Sequence, residues 1–220
     1  MKKILLILVM LMGLSGIVVG NAQAALISGL NLSVPDIFSD STGTFSYTAS
    51  SGLFTSSAIP FTVTFGGAPI FITGTKSYLA SFYVDAAGNF SGGVGGADLT
   101  IIGNIDVNGD LINEYSGTLL TGEVTNFGWL DSGTEFDLFN YTFNATGGAL
   151  VGFYVAGTGG GDAMSSETST FTGSFTSNFG STGFGKTKHD TAPLVPEPGS
   201  MLLLGMGILG IFGLKRKVKA

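Results

Sequence analysis

Between residues 25 and 176, apolar side chains alternate with serine and threonine, and glycine breaks the pattern at short intervals. In Phe61-Thr62-Val63-Thr64-Phe65 the apolar side chains share one face of an extended chain and both threonines share the other. A period of two is what a half-buried strand requires, whereas an amphipathic helix needs apolar residues every three or four positions. No stretch of helical spacing long enough for a stable helix occurs outside the chain ends. The body is therefore expected to be all-β. Its 36 glycines, 22 serines and 23 threonines supply turns and solvent-facing strand positions.

Further strands are expected at 77–85, 98–107, 117–124, 136–143, 149–156 and 168–176. Asn108-Gly109 favours a type I′ turn, which would pair 102–107 with 110–115 as a hairpin. Phe136 and Leu138 fall on one strand face but Phe139, Tyr141 and Phe143 on the other, so a bulge near Leu138-Phe139 or burial of both faces is expected. Many short strands at about ten-residue spacing point to a single antiparallel sandwich or jelly-roll domain over residues 25–176. The 18 phenylalanines are enough for its core. Residues 177–194 are polar and glycine-rich, and are expected to be a linker. The phenylalanine repetition in 170–179 reads as an edge strand running into it.

Charge is segregated. The formal net charge is −6, but six of the nine basic residues lie within the first three or last six positions. From Ala25 to Pro198, three lysines face fifteen acids, a net charge of −12 with no arginine. Such a body repels nucleic acid, whose phosphates need clustered Lys or Arg. The absence of cysteine excludes disulfides, thiolate metal sites and cysteine nucleophiles.

The N-terminus reads as a secretory signal. Lys2 and Lys3 precede an apolar run from Ile4 to Val19, followed by Ala22-Gln23-Ala24. This is a charged region, an apolar helix and a small-residue cleavage site, placing the cut between Ala24 and Ala25. Residues 1–24 are thus expected to engage the Sec translocon and signal peptidase. The C-terminus has three ordered parts: Val195-Pro196-Glu197-Pro198, an apolar run over 199–214, and a basic end with Lys215, Arg216, Lys217 and Lys219. Sixteen helical residues rise about 24 Å, enough to cross a locally thinned inner membrane. The basic end would stay cytoplasmic, leaving the body outside.

Residues 195–220 resemble the PEP-CTERM sorting signal in the proline–glutamate–proline motif, the short apolar helix and the basic terminus. The resemblance implies that an exosortase, a membrane protease or transpeptidase, recognises and processes the tail. It also associates such proteins with exopolysaccharide and biofilm, at the cell surface or in the extracellular matrix.

Chemistry-bearing residues in the body are few. Asp106, Asn108, Asp110 and Glu114 offer oxygen ligands at a spacing that suits calcium or, equally, a polar hairpin tip. An EF-hand is excluded, since Leu111 stands where its glycine belongs and Gly117 where its final glutamate belongs. Trp129 is either a core residue or a platform for a glycan. Asp131, Glu135 and Asp137 are close enough in sequence to be weighed as a glycosidase pair. His189, the one histidine, falls in the expected linker, where catalytic geometry would not be held. No catalytic constellation emerges, so the body is expected to be a non-enzymatic structural or interaction domain, with calcium or glycan binding as the alternative.

Overall fold

The computed structural model describes residues 26–195 apart from 29, 31, 155–158 and 183–186, and without the side chains of 40–42. Twelve strands occur in it: β1 (Asp36–Thr48), β2 (Leu53–Ala58), β3 (Pro60–Thr64), β4 (Ile70–Phe71), β5 (Thr73–Val84), β6 (Phe90–Gly93), β7 (Leu99–Ile105), β8 (Tyr115–Asp131), β9 (Asp137–Gly147), β10 (Gly160–Ser166), β11 (Phe179–Gly180) and β12 (Thr187–Pro193). One helical turn, α1 (Val151–Tyr154), lies between β9 and β10.

Eight of the strands form a ring of antiparallel pairs in the order β1-β2-β5-β7-β8-β9-β10-β12, and β12 pairs with β1 to close it. Each strand pairs with its successor in the ring, so the fold is an up-and-down barrel rather than the expected sandwich or jelly-roll. Alternation along a strand is the same in all three architectures, and the deciding contact is the seam pairing of Ile37 with Thr191. β3 extends the path of β2 along β1, pairing Asp36 with Thr64. β4 likewise precedes β5, pairing Ile70 with Val63.

An eight-stranded barrel has an interior just wide enough to be filled by side chains. Along β7, Leu99, Ile101 and Ile105 point inward and are buried. Phe54, Phe82, Phe127, Phe139 and Tyr141 meet inside, with ring centroids 5.1 Å apart for Phe54 and Phe127 and 5.4 Å for Phe82 and Tyr141. These tilted and offset contacts add about 0.5–1.5 kcal/mol each to the apolar area buried.

Both ends are plugged by segments expected to be strands. At 149–156, Leu150 and Tyr154 are buried around α1, and Tyr154 donates to the Pro35 carbonyl at 3.3 Å. At 168–176 the chain is a loop, because Phe171, Phe175 and Phe179 recur every four residues and gather on one side. Phe171 and Phe179 lie 4.5 Å apart, Phe171 and Phe175 5.1 Å apart, and all three are buried.

The expected linker at 177–194 is instead part of the fold. Phe179 pairs with Tyr47, and β12 sits between β10 and β1. Its inward residues Thr187, His189 and Thr191 are polar, so hydropathy does not mark it as a strand. The β7–β8 hairpin exists with Ile105 opposite Tyr115, but Asn108-Gly109 lies within a nine-residue loop rather than forming a two-residue turn. No register shift occurs at Leu138-Phe139: Phe139 and Tyr141 point inward, and Leu138 lies on the outer face near Leu26. The outer face is not buried throughout, since Phe136 is exposed and Leu138 half-buried; the pattern reflects apolar residues placed on both faces of the strand.

Leu32 bridges to Leu194, and the Ser33 amide donates to the Pro193 carbonyl at 2.8 Å. The two ends of the described chain are therefore neighbours. Among the described residues no helix is long and apolar enough to cross a membrane. The expected signal helix at 1–24, Ala22, Ala24 and Ala25 at its cleavage site, and the apolar run at 199–214 lie outside the described residues.

Candidate functional site

The loop between β7 and β8 brings Asp106, Asp110 and Glu114 together, with one carboxylate oxygen from each within 4.8 Å of the others. Ligands sharing one calcium ion at 2.3–2.6 Å can stand no more than about 5 Å apart, so the spacing suits that ion. The loop holds this arrangement through its own amides. Asp106 accepts from Gly109 N at 2.7 Å and Leu111 N at 2.8 Å, and Glu114 accepts from Val107 N at 2.6 Å. Asn108 is not part of the group, since its amide faces Asp110 instead, accepting from Asp110 N at 2.9 Å and donating to Oδ2 at 3.2 Å.

Trp129 is only 6% exposed and packs against Phe171 and Phe175 at 5.1 and 5.5 Å. It belongs to the core and offers no face to a glycan, which corrects the platform reading. Exposed rings occur at Phe61 and Phe71, 5.3 Å apart, with the Lys76 ammonium 5.8 Å above Phe61.

Asp131 and Asp137 come together, their carboxyls in hydrogen-bond contact, but Glu135 does not join them. Asp137 points into the barrel, where burial raises its carboxyl above the usual range, whereas Glu135 is exposed in the turn before β9. Asp131 is half-buried and pairs with Asp137 across the β8–β9 ladder.

A cluster that the sequence did not reveal occupies the interior. Ser56 Oγ lies 2.7 Å from His189 Nε2, and His189 Nδ1 lies 3.0 Å from Asp162 Oδ1. Thr191 and Tyr78 donate to Asp162 Oδ2 at 2.5 and 3.0 Å, and the Tyr78 hydroxyl contacts that of Tyr141. With Asp162 as acceptor, His189 donates from Nδ1, which leaves Nε2 to accept a hydrogen bond from Ser56 Oγ, a hydroxyl that also lies 3.3 Å from Met164 Sδ. The order hydroxyl, imidazole, carboxylate is that of a nucleophile, its base and an orienting group. Here, however, Ser56 is 1% exposed and His189 and Asp162 are wholly buried. The cluster ties β2, β5, β9, β10 and β12 together from within. Burial, with the Asp162 charge adding to it, pushes the Tyr78 and Tyr141 hydroxyls well above their ordinary range.

On the barrel seam, Asp190 of β12 lies beside Asp36 of β1. Burial and the neighbouring Asp36 carboxyl push Asp190 up to about 7. Each residue has one oxygen, Oδ1, that is buried without a hydrogen-bond partner.

The tail begins where β12 ends. The Leu194 amide donates to the Gly159 carbonyl at 3.1 Å and Val195 is the last described residue. Pro196, Glu197, Pro198 and the basic residues Lys215, Arg216, Lys217 and Lys219 lie outside the described residues. The family model of the PEP-CTERM protein-sorting motif matches residues 194–217. Comparison with curated proteins and with solved structures returns no match for the chain. The motif marks an exported protein that an exosortase targets and processes during passage through the membrane.

Proposed function

We propose that the chain is a non-enzymatic structural protein of the cell surface or extracellular matrix, made of one closed barrel that an exosortase delivers by its C-terminal tail. In this reading a signal peptide directs residues 25–220 through the Sec translocon, and the tail holds the barrel briefly at the inner membrane. Processing then passes it to the surface or to an exopolysaccharide matrix. The observation that carries the reading is the direct joining of a sorting motif to a barrel whose nucleophile–base arrangement among the described residues, Ser56 with His189, is buried inside. Mass spectrometry of the protein recovered from the cell surface tests it. The expected product begins at Ala25 and has lost the basic end; a surface form ending at Ala220 would defeat it. In a strain lacking the exosortase, the full-length chain is expected to stay in the inner membrane.

A second reading is favoured by the convergence of Asp106, Asp110 and Glu114: the barrel binds calcium at the β7–β8 loop. It is compatible with the first, since a bound ion would fix a surface loop without adding a reaction. Calcium titration followed by thermal melting tests it.

A further inference from the structure

Among the described residues, the two apolar side chains with greatest exposure lie at one end of the barrel, and it is the end from which the sorting tail leaves. Leu111 is 93% exposed and Ile112 69%, both in the β7–β8 loop. Val107 of the same loop, Val34 before β1 and Phe153 of α1 are also exposed. Strand directions put these residues together. The pairings of Ile105 with Tyr115, Ile70 with Val63, Asp36 with Thr64 and Gly160 with Pro193 all lie at this end. Phe153 bridges part of it, meeting Phe65 at 5.6 Å and Tyr115 at 6.4 Å.

Leu111 gains nothing from folding where it stands. Its φ of 70° is unusual for a residue with a branched side chain, and the loop enforces it through the Asp106 and Asp110 carboxylates, which accept from Leu111 N and Ile112 N. The loop thus presents two neighbouring apolar side chains outward in a fixed conformation. Between Val195 and the apolar run at 199–214 stand only Pro196, Glu197 and Pro198, which reach at most about 11 Å. If that run spans the bilayer, this end of the barrel is held against the membrane surface.

We propose that this end is a membrane-facing surface, and that Leu111 and Ile112 dip into the interfacial layer of the bilayer while the chain is anchored. Asp106, Asp110 and Glu114 stand directly behind the tip, at headgroup level. Their charge suits the ammonium of zwitterionic phosphatidylethanolamine and disfavours an anionic surface. The inference rests on the anchoring stage of the function proposed above.

The chain contains no cysteine, so a single introduced thiol reports one position. Full-length Leu111→Cys, Ile112→Cys and Ser51→Cys, each carrying an environment-sensitive fluorophore, would be reconstituted in phosphatidylethanolamine-rich vesicles with and without brominated lipid. Ser51 lies in the β1–β2 turn at the opposite end. Severalfold quenching by brominated lipid is expected at 111 and 112, and none at 51. Fluorophores at 111 and 112 that remain as water-exposed as at 51, in chains that resist alkaline extraction, would overturn the inference and leave the anchor standing. A blue shift without bromine quenching would assign the tip to a second copy and equally overturn it. Chains released by alkaline extraction would show that the anchoring reading itself fails, and the inference with it.

Discussion

Asp162 and His189 face each other across the neighbouring strands β10 and β12, Oδ1 to Nδ1 at 3.0 Å, and neither side chain has any exposure. The pair survives in a core of rings because the polar atoms of both its side chains are used: Thr191 and Tyr78 saturate the second oxygen of Asp162, and Ser56 satisfies the far nitrogen of His189. Removing one partner strands the other without water. Asp162→Ala is expected to destabilise the barrel by about 3–5 kcal/mol, as for other broken buried pairs. Ser56→Ala leaves one nitrogen unpaired and is expected to cost about 1–3 kcal/mol. Urea unfolding of the two variants checks the order; equal midpoints would contradict it.

The seam carboxylates predict an unusual pH dependence. Asp190 is raised to about 7 in the folded barrel, whereas an unfolded aspartate titrates near 4. Between those values the folded state holds a proton that the unfolded state has lost, so stability falls as pH rises from about 4 to 7. The penalty is complete above about 7, where Asp190 and Asp36 repel each other across the pairing that closes the barrel. The melting temperature is expected to be lower at pH 8 than at pH 5, and Asp190→Asn to flatten the difference. A wild-type melting temperature that rises over this range would refute the assignment.

At the β7–β8 loop, millimolar calcium is expected to raise the melting temperature, because an ion that binds only the native state stabilises it. Saturation to a hundred times the dissociation constant corresponds to about 2.7 kcal/mol. The Asp106→Asn, Asp110→Asn double variant should lose the shift while keeping the barrel's far-ultraviolet spectrum. An unmoved melting curve in wild-type protein would end the calcium reading.

What could be read from sequence follows from distance along the chain and from polarity. The alternation Phe61-Thr62-Val63 marks a strand, and Val63 is buried as expected. Phe61, expected on the same face, is exposed, because the ladder shifts register there: Thr62 pairs with Phe38 and Pro60 with Ser39. Asp106, Asp110 and Glu114 could be singled out because the loop that joins them is local. Ser56 and His189 are 133 residues apart, and only barrel closure brings them together. β12 was unreadable for a related reason: its inward face is Thr187, His189 and Thr191, satisfied by hydrogen bonds rather than by apolar contact. The spacing of Phe171, Phe175 and Phe179 was visible, but a four-residue period in a loop looks like a strand with poor phase until the barrel end they cover is known.

Inside the barrel, Gly160 faces the Phe143 ring so closely that an added Cβ would stand 2.2 Å from Cζ. Phe143 is wedged between Tyr141 and Tyr154, at 6.4 and 5.9 Å, and has little room to move. Gly160→Ala is expected to cost about 1–3 kcal/mol through overpacking. The paired variant Gly160→Ala, Phe143→Leu should recover part of that loss, which double-mutant unfolding would measure.

The boundary of the folding unit gives the most direct test of the architecture. A domain ending at Thr176 would satisfy the hydropathy pattern, yet it would remove β11 and β12. Without β12 the edges of β1 and β10 lose their partners, and Asp162 loses both His189 and Thr191. Unpaired edges of this kind recruit other chains. A protein spanning residues 25–176 is therefore expected to aggregate or to unfold without cooperativity, whereas one spanning 25–195 should melt in a single transition. Adding a synthetic peptide of residues 177–195 to the shorter chain should restore soluble, cooperative folding if the missing seam is the cause. A shorter chain that is monomeric and cooperative by itself would mean that closure by β12 is dispensable.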